Sequence, residues 1–422
     1  MKRSLFQFAL LTVGAAAAAY ARTTVSPLQE SIGKALSLTD NQIALLQGPA
    51  LAIPLVVAAV PLGMLIDRYS RVRLLCSFAA IDCLATAASA WVSSFWVFFV
   101  ARCLVGLMVA AISTTSFSLL SDLYPPDQRG RASMVVVIGQ FGGMSAAFAF
   151  GSWLLQNAGS VDEVAWRPAL LWLSLPLLIV SLLTVLMREP ARTGLAVADP
   201  SLRQTWKELK EIKGSVLPLA IGIVAAEIAV TAVLTWTAPV LARRFALPAD
   251  RIGAIIAAGL LVSGVVGPMG GGVIADVCQR AGGPRRTLMA LMVLASISLP
   301  LGLFALMPAA AAAATLFVIF MIIVGAIVVT GTALFTVIVP NELRGLCMAS
   351  LAAACALFGV GLGPLAVSVL AEVFGRSGGS IGTGLACVCT ASAVLGATMF
   401  GWGGWRLPAA RAGVGTEIKV GA

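Results

Sequence analysis

Twelve separate stretches of this chain are each long and apolar enough to cross a lipid bilayer, which leaves few folds open to it. A spanning helix needs about 20 consecutive apolar residues, because the hydrocarbon core is about 30 Å thick. The stretches lie near residues 4–22, 43–65, 74–93, 95–120, 132–155, 167–187, 215–241, 252–275, 287–307, 311–338, 346–373 and 381–402. Lipid offers a bare backbone no hydrogen-bond partner, so runs of this length read as helices. Several exceed the bilayer thickness, which predicts tilt or protruding ends. The 422 residues are 59% hydrophobic and only 11% charged, with a mean hydropathy of +0.99. A soluble domain of this size needs more charge to cover its surface. The fold class is therefore an all-α membrane protein. Lys2 and Arg3 precede the first run, but no small-residue cleavage site follows it, so it reads as a span.

The net charge of +10 raises the question of a nucleic-acid partner. Its placement answers it. With both termini on one side, 20 of the 28 Lys and Arg residues fall on that side and 6 on the other; Arg22 and Arg102 lie in or near spans. Basic loops stay cytoplasmic, so this bias orients the chain with both termini inside. The charge is a topology signal, and no nucleic-acid partner is expected. The expected setting is a bacterial inner membrane, the expected state a monomer.

The longest polar stretch, 188–214, contains Pro190, Gly194 and Pro200 and then the run Trp206 to Lys213. It predicts a loop followed by an amphipathic helix at the inner interface. It divides the chain into a first six-helix bundle, 1–188, and a second, 215–403, with 189–214 as linker and 404–422 as a cytoplasmic tail.

The two halves carry the same motif. Gly63, Asp67 and Arg71 close span 2, and Gly272, Asp276 and Arg280 close span 8, both in the form G-x-x-x-D-x-x-x-R. The aspartates lie 209 residues apart (276 less 67), about half the chain. A second pair follows spans 4 and 10: Pro126-Asp127-Gln128-Arg129-Gly130, and Pro340 to Gly345 with Arg344. Paired motifs at equivalent places indicate internal duplication, a mark of transporters. Glycine permits close backbone approach. An aspartate at a helix end can face the positive start of a neighbouring helix. Arg68 and Arg71 can reach headgroups or loop acids such as Asp122, and such contacts can hold one side shut. Charged ends that merely obey the topology rule are the plainer reading.

Other chemistries are absent from the residues. There is no histidine, which removes histidine acid–base catalysis and most metal sites. The eight cysteines have neither zinc-ligand nor thiol-redox spacing and read as small buried hydrophobes. No Walker A pattern occurs, so the chain does not power itself with ATP. No nucleophile–base constellation supports a membrane enzyme. No cofactor and no metal are expected.

The Gly63–Arg73 stretch resembles the loop 2–3 signature of the major facilitator superfamily. Within it, the chain is most similar to the spinster-like group, which contains sphingolipid and lysolipid carriers. The resembling stretches are Leu38 to Leu46, Ser121 to Ala132, Trp236 to Pro239, and Pro340 to Pro364 with its Gly361-Leu362-Gly363-Pro364. The resemblance implies twelve helices in two six-helix bundles, the major facilitator fold. It implies a secondary carrier of a small-molecule or lipid-like substrate, working by alternating access. A non-transporting receptor on the same fold is the competing class; it would be expected to add a soluble domain. Spinster-like proteins carry an Asp-Arg pair in span 1 and, in span 4, an arginine with a glutamate seven residues on. Here Arg22 and Arg102 match, but Ala21 and Val109 stand where the acids would be. Proton coupling, exchange and uniport all stay open.

A charge inside the membrane costs at least about 2.5 kcal/mol and faces a cavity or a partner. Arg22, Asp82, Arg102 and Glu227 are the expected cavity residues. The two arginines suggest an attraction for anions, and Asp82 or Glu227 could take over the role lost at 21 and 109. A structural ion pair is the alternative for either acid.

Overall fold

The computed structural model describes residues 2–124, 126–157, 165–190, 202–375 and 380–406; among these, the side chains of 2–4, 126–131, 202–213, 215, 341 and 342 lie outside the description. The described residues form helices and no strand. Eleven helical stretches are long and apolar enough to cross a membrane. One of them, Ala249–Leu306, has 58 residues. At 1.5 Å per residue it would reach about 87 Å, nearly three bilayer cores. It is broken at Gly283, whose φ of 66° and ψ of −157° leave the helix and suit only glycine. Two crossings therefore share that stretch, which makes twelve among the described residues.

The spans are Lys2–Thr23, Pro49–Arg68, Arg71–Ala88, Phe95–Leu123, Pro126–Asn157, Trp166–Thr184 and Leu202–Phe245; then the two of Ala249–Leu301; then Ala310–Ile338, the stretch 341–375, and Ile381–Arg406. They are numbered span 1 to span 12. An even count puts the start of span 1 and the end of span 12 on one face, the tail face. The opposite one is the far face.

Local chemistry sets the breaks. Ser70 and Ser94 cap spans 3 and 4 by accepting from the amides of Arg73 and Val97. Between spans 1 and 2 the chain makes one 3-10 turn, Ser26–Leu28, and a short helix, Gln29–Ala35. A reciprocal capping box of Thr39 and Gln42 then starts the helix Asp40–Gln47, which leads into span 2. Span 11 contains a π-helical stretch, Cys355–Leu362, flanked by Asn341–Ala354 and Gly363–Gly375.

The expected linker helix is not a separate element. The backbone runs as one 44-residue helix from Leu202 to Phe245, so the stretch that reads as amphipathic continues directly into span 7. No proline interrupts it before Pro218.

Buried apolar residues gather mainly within each half. One cluster, including Leu219, Trp236, Phe317 and Phe400, belongs almost wholly to residues beyond 219. Two more, around Leu75 and Leu119 and around Phe98 and Trp166, belong to the first half. Large apolar side chains on the outside, such as Val60 and Trp96 at 72% exposure, suit contact with lipid. The halves meet where spans 5 and 8 cross, with the Ser145 hydroxyl donating to the Ala257 carbonyl at 2.8 Å. They meet again at Gly48, where a Cβ would stand 2.6 Å from the Gly361 carbonyl oxygen in span 11. All eight cysteines are free thiols.

Candidate transport site

Arg22 lies in the last turn of span 1. Its backbone carbonyl accepts a hydrogen bond from Arg102 Nη2 at 2.8 Å. A polar cleft of about 30 Å³, room for about two waters, opens beside it between the halves. Arg22, Ser26 and Gln47 line it from the first half, and Thr231, Thr235 and Pro364 from the second.

Glu227 stands on span 7, one turn before Thr231, and is not among the residues that line this cleft. The charge that acts on it is Arg22, across the seam. Its side chain packs on the π stretch of span 11: a Cβ at Gly359 would stand 2.5 Å from Glu227 Cγ, so only glycine fits there. One turn on, the Thr231 hydroxyl donates to the Gly359 carbonyl at 2.7 Å, and Trp236 Nε1 donates to the Pro364 carbonyl at 2.8 Å. π segments are frequent at functional sites. This one is held against span 7 where the acid sits.

Arg102 is 1% exposed and Asp82 2%. Asp82 does not border the cleft between the halves. It borders a void of about 10 Å³ inside the first half, among Gly14 and Ala17 of span 1, Ala79 of span 3, Ile112 of span 4 and Leu177 of span 6. Arg102 is the cation whose field acts on it. The two form no ion pair, and Asp82 Oδ1 and Arg102 Nε have no hydrogen-bond partner among the described residues. At low dielectric their attraction persists without contact. The four membrane charges thus run in the order Asp82, Arg102, Arg22, Glu227. The set is formally neutral, and only its Arg22–Glu227 step crosses between halves. Ala21 is fully buried, and Val109 packs against Leu51, Ala85 and Val105. Neither position carries charge to the cleft.

The tail-face motif residues divide by half. Arg71 pairs with Asp122 and, at 3.1 Å, with Glu189. Glu189 is not among the site residues expected from the sequence. Its carboxylate accepts from the Ser70 hydroxyl at 2.6 Å and the Val72 amide at 3.0 Å, at the start of span 3. Burial pushes that carboxyl up, but the hydrogen bonds from Ser70, Val72 and Arg71 outweigh it and hold it down at about 2. No local signal marks Glu189, which sits 118 residues from Arg71 in the chain. Asp67 and Arg68 are exposed. Among the described residues Asp276 reaches only Arg280, one turn along the same helix, at 3.9 Å, with both side chains exposed. Arg344 is half-buried, its Nε without a partner among the described residues. Arg129 lies outside the described side chains. A Cβ at Gly63 or Gly272 would meet nothing within 4 Å among the described residues. The close approach expected at these glycines is not made in this conformation.

A family model described as Major Facilitator Superfamily matches residues 11–364. Protein spinster homolog 1 of Mus musculus is 32% identical over 201 residues, 45% of this chain and 36% of that protein. The uncharacterized MFS-type transporter YwfA of Bacillus subtilis is 30% identical over 159 residues, 37% of each chain. The matched stretch thus spans about a third of the length of these relatives. Among solved structures, a bacterial homolog to the human lysosomal transporter Spinster, inward-facing and unoccupied, aligns with a TM-score of 0.79 at 20% identity, covering 96% of this chain and 97% of that one. A D-xylose-proton symporter aligns with a TM-score of 0.71 at 15% identity, covering 93% and 97%. Both likenesses are of fold.

Proposed function

The chain belongs to the Major Facilitator Superfamily, and on that premise we propose that this membrane transporter moves a small or amphipathic organic anion by alternating access. One observation carries the anionic character. Two arginines, Arg22 and Arg102, are held together inside the membrane, and Arg22 borders the cleft between the halves. A cationic side chain kept there at a desolvation cost is suited to a charged cargo group.

Glu227 is the coupling acid in this reading. It is the membrane carboxylate at the seam, under the field of Arg22. Cargo bound at Arg22 would weaken that attraction and favour protonation of Glu227; cargo release would reverse it. Asp82, inside the first half, instead balances Arg102. The family's own acid positions are Ala21 and Val109, so coupling through them is not available to this chain. The basic bias of the tail face supports a cytoplasmic tail face, and a bacterial inner membrane is the setting.

The test is a thermal-shift screen of purified protein with organic anions and lysolipids, since a bound ligand raises apparent stability by mass action. Active compounds then go into proteoliposome uptake with and without a pH gradient. The parent should respond to the gradient, Glu227→Gln should transport without responding, and Arg22→Ala should lose binding. Retained binding in Arg22→Ala sinks the anion site. A parent indifferent to the gradient leaves uniport or exchange as the mode.

A further inference from the structure

A separate set of polar contacts joins the two halves on the far face, above the cleft. Arg243, in the last turn of span 7, grips two acids of the other half. Its Nη1 and Nη2 donate to the two carboxylate oxygens of Asp40 at 2.9 and 2.8 Å, and its Nε donates to Glu30 at 3.0 Å. Both acids stand in the first turn of a helix, and the arginine in the last turn of one. Helix dipoles favour that placement at both ends. The forked geometry with Asp40 fixes direction as well as charge. Beside it, Asn41 donates to Glu372 of span 11 at 2.6 Å.

Beneath this ionic layer lies a buried amide layer. Gln29 Nε2 donates to the Thr235 carbonyl of span 7 at 2.8 Å. The Gln29 side-chain oxygen accepts from Gln47, whose own oxygen accepts from the Ser26 hydroxyl at 2.7 Å. Gln29 is 1% exposed, Gln47 and Ser26 6% each. Ser26, Gln47 and Thr235 also line the cleft that holds Arg22. The amide layer is therefore the ceiling of the transport site, and it closes only when Gln29 reaches span 7.

The two layers differ in kind. The ionic layer is partly solvated, with Arg243 39% exposed, so it can break and reform at modest cost. The amide layer is buried, and parting the halves would strip Gln29 Nε2 of the Thr235 carbonyl unless water takes its place. A rim that opens first and admits water to the layer below gives an ordered release.

We propose that Arg243, holding Glu30 and Asp40 across the seam, is the far-face lock of the carrier, with the Ser26–Gln47–Gln29–Thr235 chain as the seal beneath it. The proposal rests on the alternating-access reading, but its test reads conformation rather than cargo.

The experiment is hydrogen–deuterium exchange of the full chain in bilayer nanodiscs. Removing the lock in Arg243→Ala should favour the far-face-open state on the order of tenfold. Exchange should rise in 26–47 and 235–247. It should fall in 66–74 and 118–124, because opening one face of such a carrier closes the other. Glu30→Gln with Asp40→Asn removes the lock from the opposite half and should give the same pattern, and Arg243→Lys should restore part of it. Faster far-face exchange with no slowing on the tail face means a local tie only and overturns the proposal. So does loosening in Arg243→Ala with parent-like exchange in the acid double variant, since a folding defect of the arginine variant then explains it. A parent that transports none of the screened compounds sinks the carrier reading instead, whatever the exchange shows.

Discussion

Arg71 and Arg280 close the two copies of one repeated motif, yet Arg71 is 4% exposed among two carboxylates, while the Arg280 side chain is 83% exposed with Asp276 one turn away. The difference lies in the residues just after each aspartate. In the first copy the helix ends at Arg68, Tyr69 is extended, and Ser70 caps a new helix. Arg71 therefore starts span 3, where Asp122 at the end of span 4 and Glu189 beyond span 6 converge on it. In the second copy no break intervenes before Gly283, so Arg280 stays on the helix of Asp276 and extends past the bundle. A duplicated sequence has become a latch on one side and an exposed helix end on the other. What distinguishes them is two residues of capping geometry, Tyr69 and Ser70, rather than the motif.

The comparison breaks most directly at Arg71. Arg71→Ala would take the Arg71 guanidinium away from Asp122, 6% exposed. Removing one partner of a buried pair costs about 3 kcal/mol or more. The thermal-unfolding midpoint of the purified protein should fall clearly. An unchanged midpoint would mean the latch holds nothing, and the two copies would be equivalent after all.

Glu189→Gln is the next step down. The amide still accepts from Ser70 and Val72 but loses its charge beside Arg71, a cost of about 1.5 kcal/mol. The same substitution gives the latch a pH signature. The Glu189 carboxyl sits below its ordinary 4.5, at about 2. A depressed carboxylate stabilises the fold fully above its unfolded value and loses that contribution as pH falls through the folded one. The stability gap between parent and Glu189→Gln should therefore be constant above about pH 5 and shrink between 4.5 and 2. A gap independent of pH would place the effect of Glu189 in packing rather than charge.

The same contrast separates what was legible in the sequence from what was not. The twelve crossings could be read because each carries its own apolar run, and the break in the longest stretch falls between two of those runs, at Gly283. Arg22 and Arg102 stood out because a charge in such a run needs a reason. Where the charges point could not be read. A helix apolar on all sides has no polar face to fix its rotation, so Asp82 could not be told from a cleft residue, although it faces spans 1, 4 and 6. Glu189 and Arg243 were hidden for another reason. Their partners lie 118 and more than 200 residues away, and both stand in polar ends where a charge draws no notice.

Arg280→Ala should have the smallest effect. An exposed pair within one helix turn contributes little, and here the separation of 3.9 Å is already at the edge of contact. The melting midpoint should match the parent. Transport is the more searching readout, because the tail face of this structure shows one conformation and Arg280 could gain a partner in another. If uptake by Arg280→Ala also matches the parent, the second copy has kept its sequence without the latch. If uptake falls while the midpoint holds, the copies are alternating devices, the first closed in this conformation and the second closed in the other. The difference between Arg71 and Arg280 would then belong to the state of the carrier and not to the divergence of its halves.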